Sequence, residues 1–203
     1  MIIARQSHPG HRAGFTLIET TIAIALLAIV MVNSLTLLET TRKSDEAQAD
    51  QLELQLLASQ ALDRIVLALV EADEEATLPQ NEAPFSDSLI NYQTSLGVED
   101  GVEIMSEQAQ ISLEQKEDRI LWKRNPGTAD EQQVTWSRHV SDFLVDEIGM
   151  NLGDDNGNLL IDEEGLSFNI EQGSVLIRLT LSREDSNGNE ITASAETRAA
   201  FRN

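Results

Sequence analysis

Residues 14–38 read GFTLIETTIAIALLAIVMVNSLTLL, and from Thr20 to Leu38 the chain runs 19 residues without a charge. At about 1.5 Å per residue that length suits one membrane-spanning helix. The preceding residues, 1–14, carry Arg5 and Arg12 with His8 and His11 and no acidic side chain. Basic flanks stay on the cytoplasmic side, so the leader is expected inside and everything after the span exported. Arg42 and Lys43, just beyond the span, weaken that asymmetry. Glu19 does not belong in a plain anchor. An ionisable group in hydrocarbon costs about 2.5–3.5 kcal/mol on insertion scales, and so marks function. An ordinary signal peptide fails too, because its small-residue cleavage site follows the apolar run, whereas Gly14 precedes this one.

The run Gly14-Phe15-Thr16-Leu17-Ile18-Glu19 resembles the processing motif of the type IV pilin and type II secretion pseudopilin superfamily. The resemblance implies that a prepilin peptidase cuts after Gly14 and that Phe15, the new N-terminus, is N-methylated. It also makes Glu19 the assembly residue. Cleavage creates an ammonium at Phe15, and a neighbouring subunit's Glu19 carboxylate offsets it inside a filament. Such pairing removes the buried-charge penalty only in the correct stagger, so it sets register. Methylation keeps the positive charge.

No Gly or Pro occurs from Phe15 to Leu78. Beyond the span, Leu52, Leu56, Leu62, Ile65, Val66 and Leu69 recur at three- and four-residue intervals, which predicts an amphipathic helix with one apolar stripe. The helix is expected to run to about Asp73. After Pro79 the period becomes two. Ala109–Glu114 and Arg119–Arg124 read as strands joined by a charged turn at Lys116-Glu117-Asp118, and Gln133–Val145 as one or two more. Val175, Ile177, Leu179 and Leu181 alternate with Leu176, Arg178, Thr180 and Ser182 as a half-buried strand. Asn187-Gly188 then predicts a hairpin into Ile191–Phe201. Residues 74–101 are acidic and turn-rich, and carry no clear pattern.

The expected fold class is therefore α+β: a long N-terminal helix whose second half packs on an antiparallel head, as in pilins. The expected parts are a cleaved leader (1–14), a membrane and filament-core helix (15–38), an amphipathic helix (39–78) and an exported β-rich head (79–203). Major pilins commonly carry a proline near where Thr36 stands. Its absence weakens a major-pilin reading and leaves minor pilins and pseudopilins open. Ala61-Leu62-Asp63-Arg64-Ile65, Leu121-Trp122-Lys123-Arg124-Asn125-Pro126-Gly127, Val140-Ser141-Asp142-Phe143 and the terminal Phe201-Arg202-Asn203 resemble the J-type pseudopilin and W-type minor pilin group.

Residues 154–165, DDNGNLLIDEEG, place oxygen side chains at loop positions one, three, five and nine. The pattern resembles calcium loops of dockerins and EF-hands, and nominates Asp154, Asn156, Asn158, the Leu160 carbonyl, Asp162 and Glu163 as ligands for Ca²⁺. Leu159 departs from it at the glycine position, and Gly165 stands where a bidentate glutamate would close an EF-hand. An acidic connection with a turn at Asn156-Gly157 accounts for the same residues without a metal. Asp185, Asn187 and Asn189 echo the spacing, but there the hairpin is favoured.

With 14 Lys+Arg against 35 Asp+Glu, the formal charge is −21, which disfavours direct nucleic-acid binding. There are no cysteines, hence no disulfide, thiol catalysis or thiolate site. His139 is the only histidine beyond the leader, no Gly-rich phosphate loop appears, and no catalytic residue can be named. Trp122 and Trp136 are assigned to the core. The reading is a non-enzymatic minor pilin or pseudopilin subunit at the initiation site or tip of a pilus or pseudopilus. Its partners are the prepilin peptidase, other pilin-like subunits and the bacterial inner membrane. The alternative is a membrane-anchored, calcium-dependent binding module outside any filament.

Overall fold

The computed structural model describes residues 16–80, 83–149, 151–171 and 173–201. The chain divides into two compact units, 1–45 and 46–203. One α-helix, α1 (Leu17–Val70), supplies residues to both. In the first unit every described side chain is exposed, including Leu26, Leu27, Val30 and Leu37. A helix apolar on all sides has no polar face to give to water, and lipid is the solvent that suits it.

In the second unit α1 buries Leu54, Ala58, Ala61, Leu62, Ile65 and Leu69. The sequence stripe is corrected here. Leu62, Ile65 and Leu69 belong to the core and Val66 packs against it, but Leu52 and Leu56 are 65% and 57% exposed. At about 100° per residue those two fall on the side opposite Leu54 and Ala58. The helix also ends at Val70, short of both the Asp73 and the residue-78 expectations. Ala72 already bridges Thr94, and Asp73 Oδ1 accepts the Ala76 amide at 2.9 Å in the turn that follows.

The head holds two principal antiparallel sheets. The first has order β1-β4-β5-β6, from β1 (Leu89–Tyr92), β4 (Ala109–Glu114), β5 (Arg119–Arg124) and β6 (Gln132–Arg138). β2 (Ser95–Glu99) and β3 (Val102–Met105) form a separate hairpin. The second sheet is β7 (Leu166–Glu171), β8 (Ser174–Glu184) and β9 (Glu190–Ala200), in that order. Asp87 and Phe168 exchange backbone hydrogen bonds at 3.1 and 2.7 Å and join the two sheets.

β4 and β5 pair as the sequence predicts, Ala109 opposite Arg124 and Glu114 opposite Arg119. The Gln133–Val145 segment yields one strand, β6, followed by a loop. β8 is more than half-buried. Val175, Ile177, Leu179 and Leu181 are sealed, and on the other face Leu176 and Thr180 are buried too. The loop after β6 covers that second face, with the Val145 amide donating to Thr180 Oγ1 at 3.2 Å. Trp122 and Trp136 stack in parallel with centroids 6.1 Å apart, but at the core's margin, each partly buried. Trp122 Nε1 donates to Tyr92 Oη at 2.9 Å, and burial pushes the Tyr92 phenol pKa up.

Side chains tie α1 to both sheets. Arg64 Nη1 donates to the Trp136 carbonyl at 3.0 Å. Ser186 donates its amide and hydroxyl to Asp50 Oδ2 at 2.7 and 2.6 Å, and Arg183 reaches Glu53 Oε2 at 2.6 Å.

Candidate functional site: the helix start and the acidic loop

Gly14 and Phe15 lie outside the described residues, so Glu19 is the processing-motif side chain whose surroundings are defined. It closes the first turn of α1. Thr16 donates its amide and its hydroxyl to Glu19 Oε2, each at 2.9 Å, and the Glu19 amide returns to Thr16 Oγ1 at 3.3 Å. This is a capping box, in which a threonine and the acid three residues on satisfy each other's backbone amides. Glu19 therefore has a local role as well as a carboxylate at the mouth of an apolar helix. The threonine and glutamate stand three residues apart, the spacing by which a capping box is legible in a sequence.

The acidic loop is built on its own hydrogen bonds. Asp154 accepts the amides of Gly157, Asn158 and Leu159 at 2.7, 2.9 and 2.8 Å. Asn156 Oδ1 accepts the Asn158 amide and Asn158 Oδ1 the Leu160 amide, at 3.1 and 2.8 Å. Leu159 stands at φ 71°, the left-handed turn that the glycine position of a calcium loop requires. Glu163 is fully buried, accepting from Ser167 Oγ and Arg178 Nη1, both at 2.9 Å, on one oxygen and from the Asn158 amide group on the other. Asp162 turns away. It accepts the amides of Asn151 at 2.7 Å and Leu152 at 3.0 Å. The nominated residues are thus split: Asn158 and Glu163 meet, while Asp162 caps the preceding turn. Among the described residues no three His, Cys, Asp or Glu side chains converge as a metal group.

Residues 10–32 match the family model of the prokaryotic N-terminal methylation motif. The chain carries the prepilin methylation motif. The match supports the type IV prepilin and pseudopilin superfamily. Comparison with curated proteins and with solved structures returns no match. Within the described residues α1 is the helix long and apolar enough to cross a membrane. The motif and that helix together fit a single-pass inner-membrane protein, and the long helix followed by antiparallel sheets fits the pilin-like fold. The motif implies processing by a prepilin peptidase and assembly with other pilins.

Two residues of the head carry more than their sequence context signalled. Both carboxylate oxygens of Glu147 are buried without a hydrogen bond, and burial, with Glu163, Asp155 and Asp154 nearby, pushes its pKa above the usual carboxylate range. No pattern in the sequence singles it out. Gly165, noted only as an EF-hand mismatch, is the second. A Cβ there would come within 1.8 Å of the Ser141 carbonyl oxygen.

Proposed function

We propose that this chain is a minor pilin or pseudopilin, cleaved after Gly14, methylated on Phe15 and built into a filament through Glu19. The observation that carries the reading is the methylation motif at residues 10–32, with a glutamate in the first turn of an apolar helix. On this reading residues 1–14 are the cytoplasmic leader, 15–38 the membrane and filament segment, and the head is exported. The initiation site or tip is its place. That assignment draws on the absence of a proline near Thr36, where α1 continues unbroken, and on the scattered likeness to J-type and W-type subunits.

The capping box gives the test its resolution. Glu19→Gln keeps an acceptor for Thr16 but removes the charge, so it separates helix capping from pairing with a neighbour's ammonium. The variant is expected to insert in the membrane as the wild type does and to lose co-purification with other pilin-like subunits. Normal co-purification of Glu19→Gln would overturn the pairing role. The competing reading, an anchored calcium-dependent module outside any filament, draws on Glu147 and Glu163 as buried carboxylates beside the loop. Recovery of the processed wild type with no pilin-like subunit attached would favour it.

A further inference from the structure

In a chain with 35 acidic residues and 14 Lys+Arg, most bases of the head have a carboxylate beside them. Arg119 meets Glu114 and Glu117, Arg178 meets Glu163 and Glu196, Arg183 meets Asp50 and Glu53, and Arg198 meets Glu171. Arg64 and Arg138 have no such ion pair among the described residues, and both line the same groove. That groove, about 440 Å³, lies between the head part of α1 and the end of β6, with Leu57, Gln60, Trp136 and His139 among its other walls.

Three features make it receptive to an anion carried on a peptide. β6 is the outer strand of its sheet, so its outward backbone groups have no strand partner, and such edges accept an added strand. Arg138 stands directly opposite Arg119 across the β5–β6 ladder; Arg119 is held by Glu114 and Glu117, whereas Arg138 makes no ion pair among the described residues and can meet an incoming carboxylate. Arg64 uses Nη1 on the Trp136 carbonyl, which fixes the guanidinium against the strand while leaving most of its five N–H donors available. Guanidinium matches carboxylate with two parallel hydrogen bonds, and half-buried Trp136 and Leu57 offer apolar contact alongside.

We propose that this groove docks an extended acidic segment of a neighbouring protein subunit. Its carboxylates would bind Arg64 and Arg138 while its backbone runs along the free edge of β6. Charge complementarity picks the occupant. The chain's net charge of −21 disfavours such a segment over most of the surface, so the groove confers register as well as affinity. The proposal concerns the head alone and does not depend on processing at Gly14.

The test uses the full-length protein in detergent micelles and two fluorescein-labelled peptides, one alternating Glu and Val and one alternating Gln and Val. Fluorescence anisotropy should show binding of the Glu peptide, weakened as salt is raised, and none of the Gln peptide. Arg138→Glu should weaken binding at least tenfold. Because Arg138 makes no described ion pair, its thermal melting should be unchanged or improved, which separates a lost site from a lost fold. Arg138→Gln should fall between. No binding of the Glu peptide, equal binding of both peptides, or full binding by Arg138→Glu would each overturn the proposal. So would displacement of the Glu peptide by single-stranded RNA at equal concentration, since the groove would then be a general anion patch.

Discussion

Replacing Gly165 by alanine should damage the head more than the loss of any exposed loop residue. The new methyl carbon would lie 1.8 Å from the Ser141 carbonyl oxygen and 3.1 Å from Val140 Cγ1. Real contacts need more than 3 Å, so one backbone segment must retreat by over an ångström, and neither is free to do so. Ser141 donates to the Thr180 carbonyl at 2.9 Å, and Val140 donates to the Asp118 carbonyl, also at 2.9 Å. On the other side Gly165 donates to the Asp142 carbonyl at 3.1 Å and accepts from the Thr180 amide at 2.8 Å. Moving Gly165 surrenders those last two bonds. Each is worth about 0.5–1.5 kcal/mol, and a buried amide left unpaired adds about 1–3 kcal/mol. The expected loss is about 2–6 kcal/mol. At about 2–4 °C per kcal/mol for a chain of this size, the melting temperature should fall by roughly 4–24 °C. Circular dichroism of the detergent-solubilised full chain, followed at the β-sheet signal, measures it. A fall of under about 2 °C would refute the reasoning, because the loop would then have room that the geometry denies it.

Leu159→Gly should act in the opposite direction. The leucine is 78% exposed and held at φ 71°, so glycine relieves about 1–2 kcal/mol of backbone strain without emptying a packed site. A rise in melting temperature of a few degrees is expected, and a fall would mean that the side chain packs on something. For the calcium reading, adding millimolar Ca²⁺ should raise the melting temperature over that in chelator, because a ligand bound only by the folded state stabilises by mass action. Mg²⁺ should do less, since it demands tighter octahedral geometry. Equal melting in Ca²⁺ and chelator would leave the loop as a turn held by Asp154 and Asp162.

Where side-chain alternation was strong, the sequence told the fold. β4, β5 and β8 follow from period-two patterns, and Asn187-Gly188 marked the hairpin that leads into β9 because few residues tolerate its backbone. β1 to β3 were hidden because Leu89–Tyr92 and Val102–Met105 are four residues long, too short for a period to emerge from an acidic surround. The error at Leu52 and Leu56 is of another kind. Three- and four-residue spacing identifies a helix, but its phase is set by what covers it, and Leu54 and Ala58 face the sheets instead. For the loop, spacing named residues that do meet, Asn158 with Glu163. It missed Glu147, which arrives from a separate segment, and misjudged Asp162, whose oxygens serve the backbone of Asn151 and Leu152. Gly165 was visible only as a mismatch. Its reason, the Ser141 carbonyl, is a contact between segments distant in sequence.

The central claim is processing at Gly14, and the intact mass of the mature protein tests it most directly. Purified from membranes of cells that contain a prepilin peptidase, the chain should have the mass of residues 15–203 plus one methyl group. In cells lacking the peptidase it should keep the leader and carry no methyl group. A protein recovered from assembled filaments with residues 1–14 still attached would contradict the account.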